Sequence, residues 1–348
     1  MFTNHTFEIV ATGKAVPTKR VTNDELAKTL DTSDEWIRSH TGIGNRHIAD
    51  EETATSDLAV AAATEALSML IANDPSLGGS MEVAAQSIDV IVVATASPDF
   101  FGFPSTACLV QDRLGAKKAA AMDIVAGCTG FIYGVETASG LLAMKPERKR
   151  ALVIGAEILS KITDWTDRST CVLFGDGAGA VILEKTSPAS GNGMRKGLLR
   201  SILGADGSGG EYLILRRGGT RNPYKQGEII DQVPHIEMNG RAVYNFAVKA
   251  VTDTMELLLQ EEGLTVQDLA WIVPHQANAR IVQAAAKRLG IPEEKFFLNI
   301  EEYANTSAAS VPIALDEMNR SGALKKGDLI MTLGFGAGLT YGGNLFIW

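Results

Sequence analysis

Hydrophobic positions change their period along this chain. In "IDVIVVATAS" (88–97), "AAAMDIV" (119–125) and "RALVIGAEI" (150–158) apolar residues run almost unbroken over strand length. Between them, "PSTACLVQDRLG" (104–115) and "FIYGVETASGLLAMK" (131–145) bring apolar residues back at helical spacing. Strands alternating with helices predict βαβ units around a mostly parallel sheet. Upstream, "TNDELAKTL" (22–30) opens on Thr22 or Asn23, and "TSDEWIRSH" (32–40) on Thr32 or Ser33 with Glu35 close behind. These are helix-cap signals, and they predict two short helices.

The second half repeats the plan. "LAWIVPHQAN" (269–278) is similar to residues 88–97, and "IVQAAAKRLG" (281–290) to "CLVQDRLG" (108–115). "KFFLNI" (295–300) is similar to "AAAMDI" (119–124), which predicts a strand over 295–300. Each half closes on a glycine-rich turn that opens a strand, "FGDGAGAVIL" (174–183) and "GFGAGLTYGG" (334–343). A duplicated α/β protein follows, with one half over 1–185 and the other over 186–348. The Ser-, Gly- and Pro-rich "KTSPASGNGMRKG" (185–197) is the connection. The glycine runs are not dinucleotide loops, because that fingerprint follows a strand and opens a helix. Tight backbone packing or an array of N–H groups is the reading they support.

At 348 residues, with 45% hydrophobic and 21% charged content, the chain has material for two globular halves. Its apolar runs are short of the roughly 20 residues of a membrane-spanning helix. The start, "MFTNHTFEIVATGK", lacks the basic and apolar regions of a secretory signal, so a cytoplasmic protein without a membrane segment is expected. The net charge of -9 argues against nucleic-acid binding and leaves any acidic partner to a local basic patch. Three widely spaced cysteines, Cys108, Cys128 and Cys171, form neither a disulfide framework nor a zinc-ligand spacing, so no metal is expected.

Cys128 stands in "IVAGCTGF" (124–131), between glycines and at the start of a predicted helix. A helix N-terminus lowers a thiol pKa and makes a nucleophile, while a cysteine among small residues also serves as a small buried hydrophobe. Cys108, on a helix face, and Cys171, in the strand-like "RSTCVLFG", read as core. Cys128 lies four residues after Ile124 and Asn305 five after Ile300, which places them on pseudo-equivalent loops facing each other. His275 interrupts an apolar strand end, unlike the terminal His5, His47 beside Arg46, or the loop residue His235. Three polar groups then converge at strand ends, where open α/β sheets gather their sites.

Taken together, "DIVAGCTGF", "PHQANARI", "NTSAASVPIAL", "FGDGAGAVIL", "GFGAGLTYG" and "DTSDEWIRSHTGIGNRHIA" (31–49) resemble the motif set of the β-ketoacyl-acyl-carrier-protein synthase III family. They occur in family order from near residue 30 to the C-terminus. The resemblance implies a thiolase-like fold, two similar halves in five α-β-α-β-α layers, and a homodimer. It implies a Cys128–His275–Asn305 site that condenses a short acyl-CoA primer with malonyl-acyl-carrier-protein, the initiating step of type II fatty-acid synthesis, with no cofactor besides these thioester substrates. An acyltransferase of secondary metabolism on the same plan is the alternative. Elongating relatives carry a second histidine where Asn305 stands, and thiolases a cysteine in the last glycine turn, which this chain lacks.

The resemblance also assigns binding residues. The backbone N–H groups of Cys128 and Ala337 form the oxyanion hole, Trp36 and Arg168 sandwich the CoA adenine, and Asn278 lies along the pantetheine tunnel. His40 stands where family members often carry Arg. Gln276, Ala277, Asn278, Ala279, Arg280, Lys287 and Arg288 form the carrier-docking region; the three basic residues fall at i, i+7 and i+8 on one helical face. Phe103, in "SPDFFGFPSTA", closes the acyl pocket across the dimer.

Overall fold

The computed structural model describes residues 5–187, 196–230 and 233–348, so most of the predicted connection, residues 188–195, lies outside the described residues. Two large sheets carry the fold. The first, in spatial order, is Thr6–Ala15, Gly177–Thr186, Arg150–Glu157, Val90–Ala94 and Ala120–Ile124, with Val90–Ala94 parallel to both neighbours. The second is Gly197–Ala205, Thr340–Ile347, Leu329–Gly336 and Trp271–Pro274, the last two parallel. Place for place, Val90–Ala94 corresponds to Trp271–Pro274, as the sequence repeat requires.

The fifth place differs from the expectation. Only Phe296 bridges to Ile272, and Ile300 starts the helix Ile300–Tyr303, so no strand spans 295–300. Gln276 supplies the reason. Its carboxamide donates to the Phe297 carbonyl at 3.1 Å and accepts from the Asn299 N–H at 3.2 Å, occupying backbone groups that a strand ladder would use.

Helices sandwich the sheets. Leu67 and Leu70 of Thr55–Asn73 and Val110 of Thr106–Arg113 pack on the outer face of the first sheet. Phe131 and Val135 of Gly130–Ala143, with Val311 and Leu315 of Ser310–Arg320, fill the space between the sheets against Val92, Val153, Val273 and Phe346. Val251 and Leu258 of Gly240–Glu262, with Ile281 and Ala285 of Ala279–Leu289, cover the outer face of the second. The layers are helix, sheet, helix, sheet, helix. Thr55–Asn73 is long and apolar enough to cross a membrane, but its Ala59, Ala62, Ala66 and Leu70 are buried on the first sheet.

The glycine runs serve close packing. A Cβ on Gly155 would stand 2.0 Å from the Ala308 carbonyl oxygen, and one on Gly179 2.5 Å from the Ile313 nitrogen. Strands of the first sheet therefore touch segment 305–313 backbone to backbone. Gly177 and Gly179 lie inside the strand rather than in a turn, and of "GFGAG" (334–338) only Ala337 and Gly338 lie in the turn between Leu329–Gly336 and Thr340–Ile347. Of the two other cysteines, Cys171 is core as expected and only Cys108 is not. Cys171 is buried, but in a hydrogen-bonded turn, and Cys108 is exposed because its helix turns Ala107 and Val110 inward.

Candidate active site

Cys128 sits in the short turn Gly127–Thr129 that leads into the central helix Gly130–Ala143. Gly127 has φ 50, and a Cβ there would lie 2.9 Å from the Ala337 nitrogen. The Cys128 loop and the last glycine turn thus meet without side chains between them. Placement at a helix start does not lower this thiol. Burial pushes it up to about 12, the hydrogen bond from Ser307 opposes that, and the Glu157 carboxylate adds to it. The resting residue is a thiol.

His275 follows strand Trp271–Pro274, anchored by its N–H to the Leu333 carbonyl at 2.7 Å. Its ring lies 5.1 Å from Phe335, and Nδ1 is 2.7 Å from Ser310 Oγ. Burial pushes the imidazole down to about 3, so it is neutral at ordinary pH. Asn305 is held on both sides by segment 173–175: its N–H donates to the Leu173 carbonyl at 2.9 Å, and its carbonyl accepts from the Gly175 N–H at 3.0 Å. Asn305 Oδ1 accepts the Ser307 N–H at 2.9 Å. Because a backbone N–H only donates, the carboxamide orientation is settled and its NH2 is the end left for a ligand. Ala304 and Ser307 take φ 56 and φ 48, left-handed values that cost a non-glycine residue on the order of 1–3 kcal/mol each.

The three side chains line one cavity of about 250 Å³ together with Trp36, His40, Arg168 and Asn278. A second, apolar pocket of about 110 Å³ continues from Cys128 between Leu159, Ile162, Phe174, Leu213 and Ile236. Arg168 lies 5.0 Å over the Trp36 ring, and His40 stacks on Trp36 at 4.3 Å and 17°.

Residues 122–207 match the family model for 3-oxoacyl-[acyl-carrier-protein] synthase III, and residues 259–348 match the model for its C-terminal part. The β-ketoacyl-[acyl-carrier-protein] synthase III of Natranaerobius thermophilus is 48% identical over 341 residues, 98% of this chain and 99% of that one. The chain belongs to the β-ketoacyl-[acyl-carrier-protein] synthase III family. The crystal structure of 3-oxoacyl-[acyl-carrier-protein] synthase III from Aquifex aeolicus is 41% identical and superposes with a TM-score of 0.85, covering 98% of this chain and 100% of that one. The priming β-ketosynthase from the R1128 polyketide pathway, at 31% identity and TM-score 0.85, covers 99% of this chain and 96% of its own. Membership in the synthase III family makes the chain an acyltransferase of the condensing class, with a thiolase-like fold.

Some assigned binding residues of this synthase III chain find other work. Gln276 is 2% exposed and cross-links the loop below His275, which removes it from any docking surface. Ala277 lines the cavity and Ala279 faces Gly42. Asn278 lines the cavity while capping helix Ala279–Leu289 through Oδ1 and donating to the His40 carbonyl at 3.1 Å. Arg280, Lys287 and Arg288 are exposed on that helix. Phe103 is 89% exposed and lines neither cavity of its own chain. Residues that sequence reasoning passed over are Ser307 and Ser310, inside the quoted "NTSAAS", and the buried Glu157. The Glu157 carboxylate accepts from Ser97 Oγ at 2.5 Å and from the Ala96 N–H at 3.1 Å, and burial raises its pKa.

Proposed function

We propose that this chain initiates type II fatty-acid synthesis by a decarboxylative Claisen condensation of a short acyl-CoA primer with malonyl-acyl-carrier-protein, giving β-ketoacyl-acyl-carrier-protein, CoA and CO2. The supporting observation is the meeting of Cys128, His275 and Asn305 on one cavity whose mouth holds Trp36 and Arg168. Cys128 takes the acyl group from CoA as a thioester, with the Cys128 and Ala337 N–H groups around the carbonyl oxygen. Loss of CO2 from the malonyl group leaves its bonding electrons as an enolate, whose oxygen accepts from the Asn305 amide. The carbanion attacks the acyl carbonyl, and the Cys128 sulfur departs.

CoA binding needs one local movement. An adenine between Trp36 and Arg168 requires two van der Waals spacings of roughly 3.5 Å, more than the present 5.0 Å. Arg168 is held at its tip by the Asp31 carbonyl at 2.6 Å and is half exposed, so it lifts without disturbing the fold. His40 stacks on Trp36 and supplies a ring contact where an arginine would supply charge. The apolar pocket beyond Cys128 takes the acyl chain.

The carrier docks on Arg280, Lys287 and Arg288 beside the cavity mouth, an acidic protein against a basic stripe on a chain of charge -9. Arg280→Gln is expected to raise KM for malonyl-carrier about tenfold while acylation by acyl-CoA stays within about twofold; equal losses in both half-reactions count against the patch. A homodimer in the cytoplasm belongs to the same reading. Strand Ala120–Ile124 is an open sheet edge, and the loop leading to the helix packed on it exposes Phe100, Phe101 and Phe103.

Intact mass spectrometry tests the whole reading. The wild-type protein is expected to gain one acyl group from acyl-CoA and to lose it when malonyl-carrier is added. An acyl-enzyme that malonyl-carrier does not consume favours acyl transfer to another acceptor.

A further inference from the structure

The Ser310 hydroxyl has three neighbours. His275 Nδ1 lies at 2.7 Å, the Ser307 carbonyl oxygen at 2.9 Å and the Gln276 N–H at 3.3 Å. A hydroxyl carries one proton. Of the three neighbours, only the carbonyl oxygen can never donate, and at 2.9 Å it takes the hydroxyl proton; otherwise two oxygen lone pairs would face each other in a site where Ser307 and Ser310 are both buried. Gln276 N–H already donates to Oγ. The remaining lone pair of Oγ therefore requires a proton on Nδ1.

We propose that Ser310 is a positioning residue that holds neutral His275 as the Nδ1–H tautomer, so that Nε2 presents a lone pair to the cavity and receives the Cys128 thiol proton during acylation. The inference rests on the Cys128–His275–Asn305 reading above. Burial keeps the ring neutral, and for a neutral ring the hydrogen bond at one nitrogen decides the state of the other. In the step, the Cys128 S–H bond breaks as Nε2–H forms, and the sulfur attacks the thioester carbonyl. The carbonyl carbon–CoA sulfur bond then breaks, and the CoA sulfur leaves with its electron pair and takes the proton back from Nε2. His275 ends as it began.

The same tautomer assigns the two half-reactions unequally. Acylation needs Nε2 as an acceptor, whereas the enolate oxygen needs donors, and Asn305 supplies one in every protonation state. Ser310→Ala removes the acceptor for Nδ1–H and frees the ring to adopt Nε2–H. Acylation by acyl-CoA is expected to fall by about 10- to 100-fold, part of the 10²–10⁴ that a positioned proton acceptor contributes. Decarboxylation of malonyl-carrier is expected to hold or rise. Ser310→Thr keeps a hydroxyl and should keep the wild-type balance.

The experiment combines these rates with ¹⁵N spectra of histidine-labelled wild-type protein, the His275 signals identified by their loss in His275→Gln. A protonated Nδ1 and bare Nε2 in the wild type, with the split rates in Ser310→Ala, support the inference. A protonated Nε2 in the wild type overturns it, and so do Ser310→Ala rates that fall equally or stay unchanged. The underlying reading fails separately, if Cys128→Ala still gains an acyl group.

Discussion

Cys128→Ala is expected to gain no mass from acyl-CoA, and condensation by this variant to fall by roughly three orders of magnitude or more, the scale on which loss of a nucleophile acts. No substitute sulfur is at hand, because Cys108 is on the surface and Cys171 is buried in the turn after Asp167. The variant should remain folded, since only one sulfur atom leaves the wall of a cavity. Malonyl-carrier should still lose CO2 slowly, because Asn305 and His275 are untouched. A thiol pushed up to about 12 also predicts that the free enzyme reacts sluggishly with iodoacetamide at pH 7, where little of it is thiolate, and faster as pH rises. Fast alkylation at pH 7 would show that burial does not control the thiol.

Asn305→Ala is expected to give the opposite pattern. Acylation by acyl-CoA should survive, and release of labelled CO2 from malonyl-carrier should fall by about 10²–10³, the usual loss for one oxyanion donor. Asn305→Asp separates donation from anchoring. Aspartate keeps an oxygen to accept the Ser307 N–H, so the strained loop around φ 48 stays held, but it has no NH2 for the enolate. It should therefore lose decarboxylation at least as completely as alanine does. An Asp variant with near wild-type CO2 release would show that Asn305 acts by holding its loop.

How far the sequence could be read depended on whether a signal was local. The corresponding strands Val90–Ala94 and Trp271–Pro274 of the two sheets were legible from apolar runs, and the caps from short polar motifs: Ser33 does accept the Trp36 N–H at 3.1 Å, and Thr22 forms a capping box with Glu25. "KFFLNI" reads as a strand by the same logic and is not one, because Gln276, some twenty residues earlier, occupies its backbone groups. Gln276 itself read as a surface residue for that reason: nothing in "PHQANAR" says that its carboxamide points inward. Cys108 shows the same limit, since exposure depends on how a helix is rotated against distant neighbours, whereas Cys171 is buried as its apolar surroundings predict.

By itself the sequence determined the duplicated α/β plan, the acyl-transfer family and the residue types Cys128, His275 and Asn305, because hydrophobic period and motif spacing are properties of short segments. The tertiary structure decided their chemical state. Burial makes Cys128 a thiol and His275 a neutral ring, and Ser307 and Ser310 orient the carboxamide and the imidazole. The physical reason is that desolvation and hydrogen-bond direction are set by groups far apart along the chain, which meet only when the two sheets close on the central helices.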